Sequence, residues 1–252
     1  MTIPLPDAKY PRPEFASDGA RRYYRKKNPY PTDELIQRLD DSALLEHMGV
    51  PMRYHPHAIA MHDQPMLDEI ENWFQRLPYV FRPHMTYQKE RPNLCGVGLV
   101  LHGASGTRKT TTAVATLLRL IRMGVPNTDP TGRNFSWHGW AMGRFVDWQS
   151  ASRLFREAVK DEDADIEATG LRVSMQPGGP MTTRADFLVL DDISRERRTE
   201  FNVGELQRTI RRRFDQGYPT IITTNHSPRA WEDTYGDVFA AFLGRAFIPV
   251  EF

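Results

Sequence analysis

Apolar residues recur along the chain with two different periodicities, and these divide it into two regions. Residues 1–90 carry them at helical spacing in short segments such as TDELIQRLDDSALLEHM and QPMLDEIENWFQRL. Thr32 and Asp33 are the expected N-caps of the first of these helices. In residues 91–252, short apolar runs alternate with helical segments instead. The pattern therefore predicts a small, mostly helical or irregular N-terminal region followed by an α/β domain.

The α/β region is predicted to contain a parallel sheet with helices on both faces, because strands and helices alternate along it. Its predicted strands are GVGLVL, GWAMGRFVDW, DFLVLDD and PTIITTN. The predicted helices are KTTTAVATLLRLIRM, QSASRLFREAVK and VGELQRTIRRRFDQG, the last closed by Gly217. Residues 161–185 are acidic, then rich in glycine and proline, and are interpreted as an exposed, solvated loop, with a partner-binding loop as the alternative. Ligands bind such sheets at the carboxyl ends of the strands, so residues that follow each strand are the functional candidates.

The first predicted strand ends in a phosphate-binding loop that departs from the usual pattern at one position. GASGTRKT matches G-x-x-x-x-G-K-[ST] between a strand and a helix, a context in which backbone N–H groups cradle phosphate oxygens. Arg108 stands where the pattern has glycine, and its Cβ costs energy if the backbone there is left-handed. We expect nucleotide binding to be retained, because Arg108 keeps its N–H, while its effect on turnover is left open. The predicted nucleotide-binding residues are Gly103, Ala104, Ser105, Gly106, Thr107, Arg108, Lys109, Thr110 and Thr111.

Side chains in this loop and after two later strands supply the predicted chemistry. Lys109 would place its ammonium on the outer phosphates, and the hydroxyl of Thr110 would bind Mg²⁺. Asp191, at the end of FLVLDD, would hold the same Mg²⁺, because this ion prefers oxygen ligands. Asp192 is the candidate for orienting the attacking water. Asn225, at the end of IITTN, could reach that water or the terminal phosphate.

Each of these assignments has a plainer alternative. The two aspartates could make hydrogen bonds in a turn at the end of their strand, and Thr224 could take the role given to Asn225. Ser227 could cap the helix that follows. The phosphate loop upstream of the aspartates is what favours the functional interpretation.

Four motifs occur in an order that resembles the AAA+ ATPases of the DnaC/IstB type, which include bacterial and phage helicase loaders and a transposition helper ATPase. The motifs are GASGTRKT, FLVLDDIS, IITTN and VFAAFLGRAFIPVEF, and the resemblance covers about residues 90–252. It implies a P-loop NTPase core of the additional-strand type, with ATP or ADP and Mg²⁺ as cofactors. Residues 103–110 correspond to Walker A, Asp191 and Asp192 to Walker B, and Asn225 to sensor 1.

The resemblance also carries implications for assembly. Arg245, in FLGRAF, corresponds to an arginine finger that acts on the nucleotide of a neighbouring subunit, with an ordinary surface arginine as the alternative. An ATP-dependent oligomer is therefore expected. The chain stops at Phe252, so no C-terminal lid is expected, as in this branch of the family.

Composition narrows the compartment and the kinds of partner. With 252 residues and one cysteine, Cys95, the chain can form no internal disulfide and no cysteine-based zinc site. No signal peptide or membrane span is predicted, and the protein is expected to be cytoplasmic. The formal net charge is +1, so affinity for nucleic acid would have to come from local patches.

Three local clusters have open interpretations. RRYYRKK, residues 21–27, could bind single-stranded nucleic acid, dock on an acidic partner or form a flexible arm. RRRF, residues 211–214, could contact a subunit or DNA, or be solvated. Three histidines are not expected to bind a metal ion, because they lack a fourth ligand: His55, His57 and His62. Three tryptophans are interpreted as packing in the core or at a sheet edge: Trp137, Trp140 and Trp148.

The leading hypothesis from the sequence is an ATPase that loads a replicative helicase onto single-stranded DNA. Residues 1–90 would dock the helicase or DNA, and residues 91–252 would form the ATPase ring. The alternatives are an IstB-like transposition helper, a nucleotide-dependent scaffold with weak turnover, and a small-molecule kinase. A kinase would need an arginine-rich lid, for which the chain after Asn225 is short.

Overall fold

A computed structural model describes residues 40–80, 96–128, 135–138, 141–177, 185–194 and 199–252. The predicted N-caps Thr32 and Asp33, the basic cluster 21–27 and Cys95 lie outside the described residues. Trp140 lies outside them as well, and so does the side chain of Trp137.

Five parallel strands form the central sheet, and their order determines which strand ends meet. The sheet strands are β1 (Gly98–His102), β4 (Gly143–Asp147), β5 (Phe187–Asp191), β6 (Thr220–Thr224) and β7 (Phe247–Glu251). They lie in the order β4-β5-β6-β1-β7, with every neighbouring pair parallel. Strand β6 thus separates β1 from β5, which is the additional-strand arrangement. The predicted fold class, a P-loop α/β sheet flanked by helices, is confirmed. A separate antiparallel pair is formed by β2 (Val125–Thr128) and β3 (Phe135–His138).

Helices cover both faces of the sheet. They are α1 (Asp41–His47), α2 (His55–Met61), α3 (Asp68–Val80), α4 (Lys109–Met123), α5 (Trp148–Glu157), α6 (Glu162–Met175), α7 (Glu200–Asp215), α8 (Trp231–Tyr235) and α9 (Asp237–Ala246), with 3₁₀ turns at Met52–Tyr54 and Pro228–Ala230. Side chains alternate across a strand, so Leu99 and Leu101 of β1 join one buried cluster and Val100 joins the other. Helices α1 to α4 contribute to the first cluster, and α5 to α9 to the second. Trp148 is buried in the second cluster, as the sequence predicted.

The described part of the N-terminal region shares its core with the sheet. Trp73 of α3 is fully buried and donates a hydrogen bond from Nε1 to the carbonyl of Val97, at 3.0 Å. Arg119 of α4 forms an ion pair with Glu71 at 2.7 Å. These contacts join α3 to the residue before β1 and to the helix that follows the phosphate loop. The predicted boundary between residues 90 and 91 lies outside the described residues and stays a prediction.

The interpretation of residues 161–185 as a solvated loop is wrong, because most of the residues described in this range form a helix. Helix α6 runs from Glu162 to Met175, and Asp161 caps its first turn by accepting a hydrogen bond from the N–H of Asp163. The acidic residues that suggested a loop occupy this first turn, where they interact favourably with the helix dipole. Ala168 and Met175, seven residues apart on one face, are buried in the second cluster. The helical spacing of these apolar positions was the signal that the charge pattern obscured.

The three arginines of RRRF have three different environments. The guanidinium of Arg211 lies 4.3 Å from the ring centroid of Phe242, and Arg212 is exposed. Arg213 is fully buried and donates to Thr220 Oγ1 and to four backbone carbonyls, those of Met175, Ala185, Asp186 and Pro219. Burial lowers the pKa of Arg213 to about 9, so its guanidinium remains charged at neutral pH. Arg213 therefore fits none of the three interpretations made from the sequence, because it cross-links segments of its own core.

Candidate functional site

The phosphate loop connects the carboxyl end of β1 to the start of α4. Its first residue, Gly103, has φ +142°, and a Cβ there would clash with the backbone carbonyl oxygen of Phe252. Arg108 is the N-cap of α4 and has φ +68° and ψ +16°, so the left-handed backbone anticipated at this position is present. Such a conformation costs an L residue about 1–2 kcal/mol relative to glycine. The loop thus keeps the glycine-type geometry with an arginine in it.

Lys109 is folded back onto the loop. Its ammonium donates hydrogen bonds to the carbonyls of Gly103 at 2.9 Å and Ala104 at 2.5 Å, and its side chain is largely buried. Burial lowers the pKa of Lys109, and the negative charges of Asp192 and then Asp191 oppose this effect. The ammonium therefore sits where loop carbonyls and two carboxylates attract it, and phosphate oxygens could replace those carbonyls.

The phosphate loop and the first aspartate are joined by a direct hydrogen bond. Thr110 Oγ1 donates to Asp191 Oδ1 at 2.7 Å, although the two residues are 81 positions apart. Thr223 of β6 donates to the same oxygen at 2.6 Å. Burial raises the pKa of Asp191, the two hydroxyls oppose this, and the charge of Asp192 adds to it. A hydroxyl and a carboxylate in contact are oxygen ligands of the type that Mg²⁺ prefers, so the donor set fits this ion.

The second aspartate turns out of its strand toward the end of β6. Asp192 has φ +54°, and its N–H donates to Thr223 Oγ1 at 2.8 Å. Ser194 Oγ donates to Asp192 Oδ1 and accepts from the N–H of Asn225, both at 3.0 Å. Asn225 is exposed, and Thr224 Oγ1 accepts from the N–H of His226. Asp192 and Asn225 therefore meet through the hydroxyl of Ser194.

Three residues of this edge were missed by sequence reasoning. Thr223 binds both aspartates, and Ser194 links the second one to Asn225. Asp147, at the end of β4, pairs with Asp191 across the sheet, accepts from the N–H of Ser150, and its charge also raises the pKa of Asp191. The available signals were the polar pair at the end of IITT and the aspartate that ends RFVD.

The histidine candidates make ordinary structural contacts. His55 is buried, with Nδ1 2.9 Å from Ser42 Oγ and Nε2 2.9 Å from the carbonyl of Val50. Nδ1 of His62 lies 2.8 Å from the carbonyl of Ile59. Within the described ranges, no group of three or more histidine, cysteine, aspartate or glutamate residues is arranged to hold a metal ion. In the same ranges, no helix combines the length and the apolar character that crossing a membrane requires.

No protein-family model and no curated protein matches the sequence. Among solved structures, the chain is similar to the crystal structure of the DnaC helicase loader, with 21% identity and a TM-score of 0.49 over 78% of this chain and 98% of that one. It is also similar to a crystal structure of DnaI, with 17% identity and a TM-score of 0.47 over 76% of this chain and 89% of that one. A third similar structure is AMPPCP-bound DnaA from Aquifex aeolicus, with 13% identity and a TM-score of 0.49 over 75% of this chain and 48% of that one. These scores are below 0.5, so the fold assignment rests on strand order and loop geometry.

The strand order decides the assignment. A P-loop follows β1, an aspartate pair lies at the carboxyl end of β5, and β6 is inserted between these two strands. The described core has the fold of an AAA+ ATPase. In this AAA+ core, the ends of β1, β5 and β6 bring Lys109, Thr110, Asp191, Asp192 and Asn225 to one edge of the sheet.

Arg245 lies at the opposite edge of the AAA+ core. It is exposed in the last turn of α9, which ends at Ala246 immediately before β7. Phe247, the first residue of β7, pairs with Gly98 at the start of β1, whereas the phosphate loop follows the end of β1. Five residues of strand at about 3.3 Å each separate the two edges by roughly 16 Å. Arg245 is thus not brought to the phosphate loop of its own chain.

Proposed function

We propose that this chain is an ATPase of DNA replication that loads a replicative helicase onto single-stranded DNA. The observation that carries the nucleotide site is the 2.7 Å hydrogen bond from Thr110 to Asp191, which joins the phosphate loop to the aspartate pair. The helicase-loading role is drawn from the resemblance of the four ordered motifs to the DnaC/IstB type. Residues 1–90 are proposed to dock the helicase, and the protein is proposed to act in the cytoplasm.

Hydrolysis is proposed to use the residues at the carboxyl edge of the sheet, where β1, β5 and β6 end. When ATP binds, the Lys109 ammonium exchanges the carbonyls of Gly103 and Ala104 for phosphate oxygens. Thr110 and Asp191 would hold Mg²⁺, which neutralises charge on the β- and γ-phosphate oxygens when bound. Asp192 accepts a hydrogen bond from the attacking water and orients it.

Asn225 and Arg245 complete the proposed site from two directions. Asn225, exposed beyond β6, contributes its side-chain amide to the water or the terminal phosphate. Arg245 is exposed and lies at the far edge of its own core, so as an arginine finger its guanidinium would act on the nucleotide of a neighbouring subunit. A cation supplied in this way stabilises negative charge on the transferred phosphoryl group. The proposal therefore includes an ATP-dependent oligomer.

One observation favours a second candidate, a nucleotide-dependent scaffold with weak turnover. Arg108 holds the left-handed position of the phosphate loop at φ +68°, where the motif has glycine. A loop that cannot relax freely around this residue would retain nucleotide and hydrolyse it slowly. The sequence alternative of an IstB-like transposition helper shares the same site and differs in its partner.

The first test compares ATP hydrolysis by the wild type, Lys109→Ala and Lys160→Ala, each with and without single-stranded DNA. Lys160 is exposed and distant in sequence from the loop, so it is the matched control. We expect Lys109→Ala to lose on the order of a hundredfold in rate, as is typical for removal of one preorganised charge. The site assignment is wrong if Lys109→Ala and the wild type hydrolyse ATP at the same rate. Nucleotide binding without turnover would favour the scaffold.

The second test addresses Arg245 by mixing two inactive variants. Lys109→Ala lacks a working loop but has Arg245, whereas Arg245→Ala has the loop but lacks the arginine. In a mixed oligomer the two defects complement each other at some interfaces, so we expect partial recovery of activity. Arg229→Ala, at another exposed arginine, should be active alone. Absence of recovery, with both variants folded and oligomeric, would exclude action in trans.

A further inference from the structure

The hydroxyl of Ser194 is placed between two residues of the proposed hydrolytic site that belong to different strands. Its oxygen donates to Asp192 Oδ1 and accepts from the N–H of Asn225, and each distance is 3.0 Å. Asp192 follows β5 and Asn225 follows β6, and these strands are hydrogen-bonded neighbours. One hydroxyl thus connects the two strand ends.

We propose that Ser194 is a positioning residue for hydrolysis, holding the Asp192 carboxylate and the loop that carries Asn225 in one arrangement around the attacking water. The inference rests on the proposed ATPase function. Ser194 acts through the two residues that it joins and does not itself contact the reacting atoms.

Asp192 has a left-handed backbone conformation, which indicates that surrounding contacts fix its orientation. Arg108 and Asp192 are the two non-glycine residues with positive φ in the described ranges, and both lie at the carboxyl edge of the sheet. A left-handed backbone is disfavoured for a residue that carries a Cβ, so the surrounding contacts must offset its cost. Thr223 contributes by accepting from the N–H of Asp192, and Ser194 contributes by donating to its carboxylate.

The charge of the Asp192 carboxylate also acts on the ammonium of the phosphate loop. The Asp192 charge is the larger of the two carboxylate effects that favour the charged form of Lys109. The Asp192 carboxylate thus accepts a hydrogen bond from Ser194, and its charge counteracts the lowering of the pKa of Lys109 by burial. If the hydroxyl is removed, one fixed donor is lost from the carboxylate and one acceptor is lost from Asn225. The Asp192 carboxylate and the backbone of Asn225 would then each lack the contact that links their two strand ends.

The coupling has a specific consequence for kinetics. Misplacing a water-orienting group lowers the rate of the chemical step, whereas phosphate binding depends on the loop and Lys109. Loss of the Ser194 hydroxyl should therefore reduce kcat and leave nucleotide affinity nearly unchanged. Threonine carries the same hydroxyl on Cβ and can make both hydrogen bonds.

The test measures kcat and KM for ATP and the Kd for ADP in the wild type, Ser194→Ala, Ser194→Thr and Ser227→Ala. Ser227 is exposed near Asn225 and its side chain makes no capping hydrogen bond, so it is the matched control. We expect Ser194→Ala to lower kcat by on the order of tenfold, with KM and Kd within about twofold of the wild type. Ser194→Thr should recover most of kcat, and Ser227→Ala should match the wild type.

The outcomes separate this inference from the function on which it rests. If the wild type hydrolyses ATP in a Lys109-dependent way and Ser194→Ala has an unchanged kcat, Ser194 has no positioning role. The same conclusion follows if threonine gives no recovery, or if Ser194→Ala changes only KM or thermal stability. If the wild type shows no Lys109-dependent hydrolysis, the proposed function and this inference are both overturned.

Discussion

Replacing Asp191 by asparagine should stabilise the ligand-free protein, although this residue is proposed to hold the metal. The residue is 6% exposed, and the hydroxyls of Thr110 and Thr223 both donate to its Oδ1. Burial raises the pKa of Asp191, and the charges of Asp192 and Asp147 act in the same direction, so its charged form is disfavoured in the folded state. Asparagine has an oxygen that can accept both hydroxyls and carries no charge. We expect a gain of about 1 kcal/mol, within the range of stabilising single substitutions at functional sites.

The assay is thermal unfolding of the wild type and Asp191→Asn, with and without Mg²⁺-ATP. A gain of 1 kcal/mol corresponds to roughly 2–4 °C in Tm for a chain of this size. Ligand at a hundredfold excess over Kd adds about 2.7 kcal/mol to the wild type. The variant should lose most of the Mg²⁺-dependent part of this increase, so the order of the two Tm values should reverse when Mg²⁺-ATP is added.

The pH dependence of this difference has a definite sign. The pKa of Asp191 is higher in the folded state than its ordinary value of 3.8, so the folded state binds the proton more tightly than the unfolded state. The wild type therefore loses stability from this group as pH rises from 3.8 through the folded pKa. The advantage of Asp191→Asn should be complete above the folded pKa and shrink as pH falls toward 3.8. A ligand-free variant that is less stable than the wild type at pH 7 would refute the reasoning.

Three further pairs of substitutions test the packing and the loop by chemical unfolding. Arg213→Met should lower the free energy of unfolding by more than about 3 kcal/mol, because it leaves buried carbonyls without donors. Arg212 is its exposed neighbour, so Arg212→Met should change that free energy by less than about 0.5 kcal/mol. Gly98→Ala should cost at least about 2 kcal/mol because its Cβ would overlap a backbone carbonyl of β6, whereas Gly204→Ala, in open space on α7, should stabilise by about 0.5–1 kcal/mol. Arg108→Gly should be more stable than Arg108→Ala by about 1 kcal/mol, since only glycine relieves the left-handed backbone. Equal stabilities within any of these pairs would contradict the explanation given for it.

The strands and the loop could be predicted from the sequence because their signals are local. A short apolar run bounded by polar residues becomes a buried strand in any α/β sheet, and GASGTRKT between a strand and a helix has few other structural solutions. The aspartates after FLVL were predicted to approach the loop, and they do so through Asp191. These inferences needed only spacing and residue type.

Helix α6 and Arg213 show where local signals misled. The acidic residues of α6 suggested solvent, yet their place is the first turn, where backbone N–H groups are positive. The sequence left a subunit contact, a DNA contact and solvation open for Arg213, yet five acceptors surround it inside the core. The number of acceptors around a cation depends on segments far apart in the chain, and residue spacing contains no information about them.

The sequence by itself determined the four strands GVGLVL, GWAMGRFVDW, DFLVLDD and PTIITTN and the chemistry that their ends can carry, because periodicity, glycine positions and motif spacing act over a few residues. Only the tertiary structure decided the partners: that Thr223 binds both aspartates, that Ser194 joins Asp192 to Asn225, and that Arg245 lies at the far edge. The physical reason is strand order. Inserting β6 between β1 and β5 is a long-range choice, and it alone determines which polar side chains lie within hydrogen-bonding distance at the carboxyl edge.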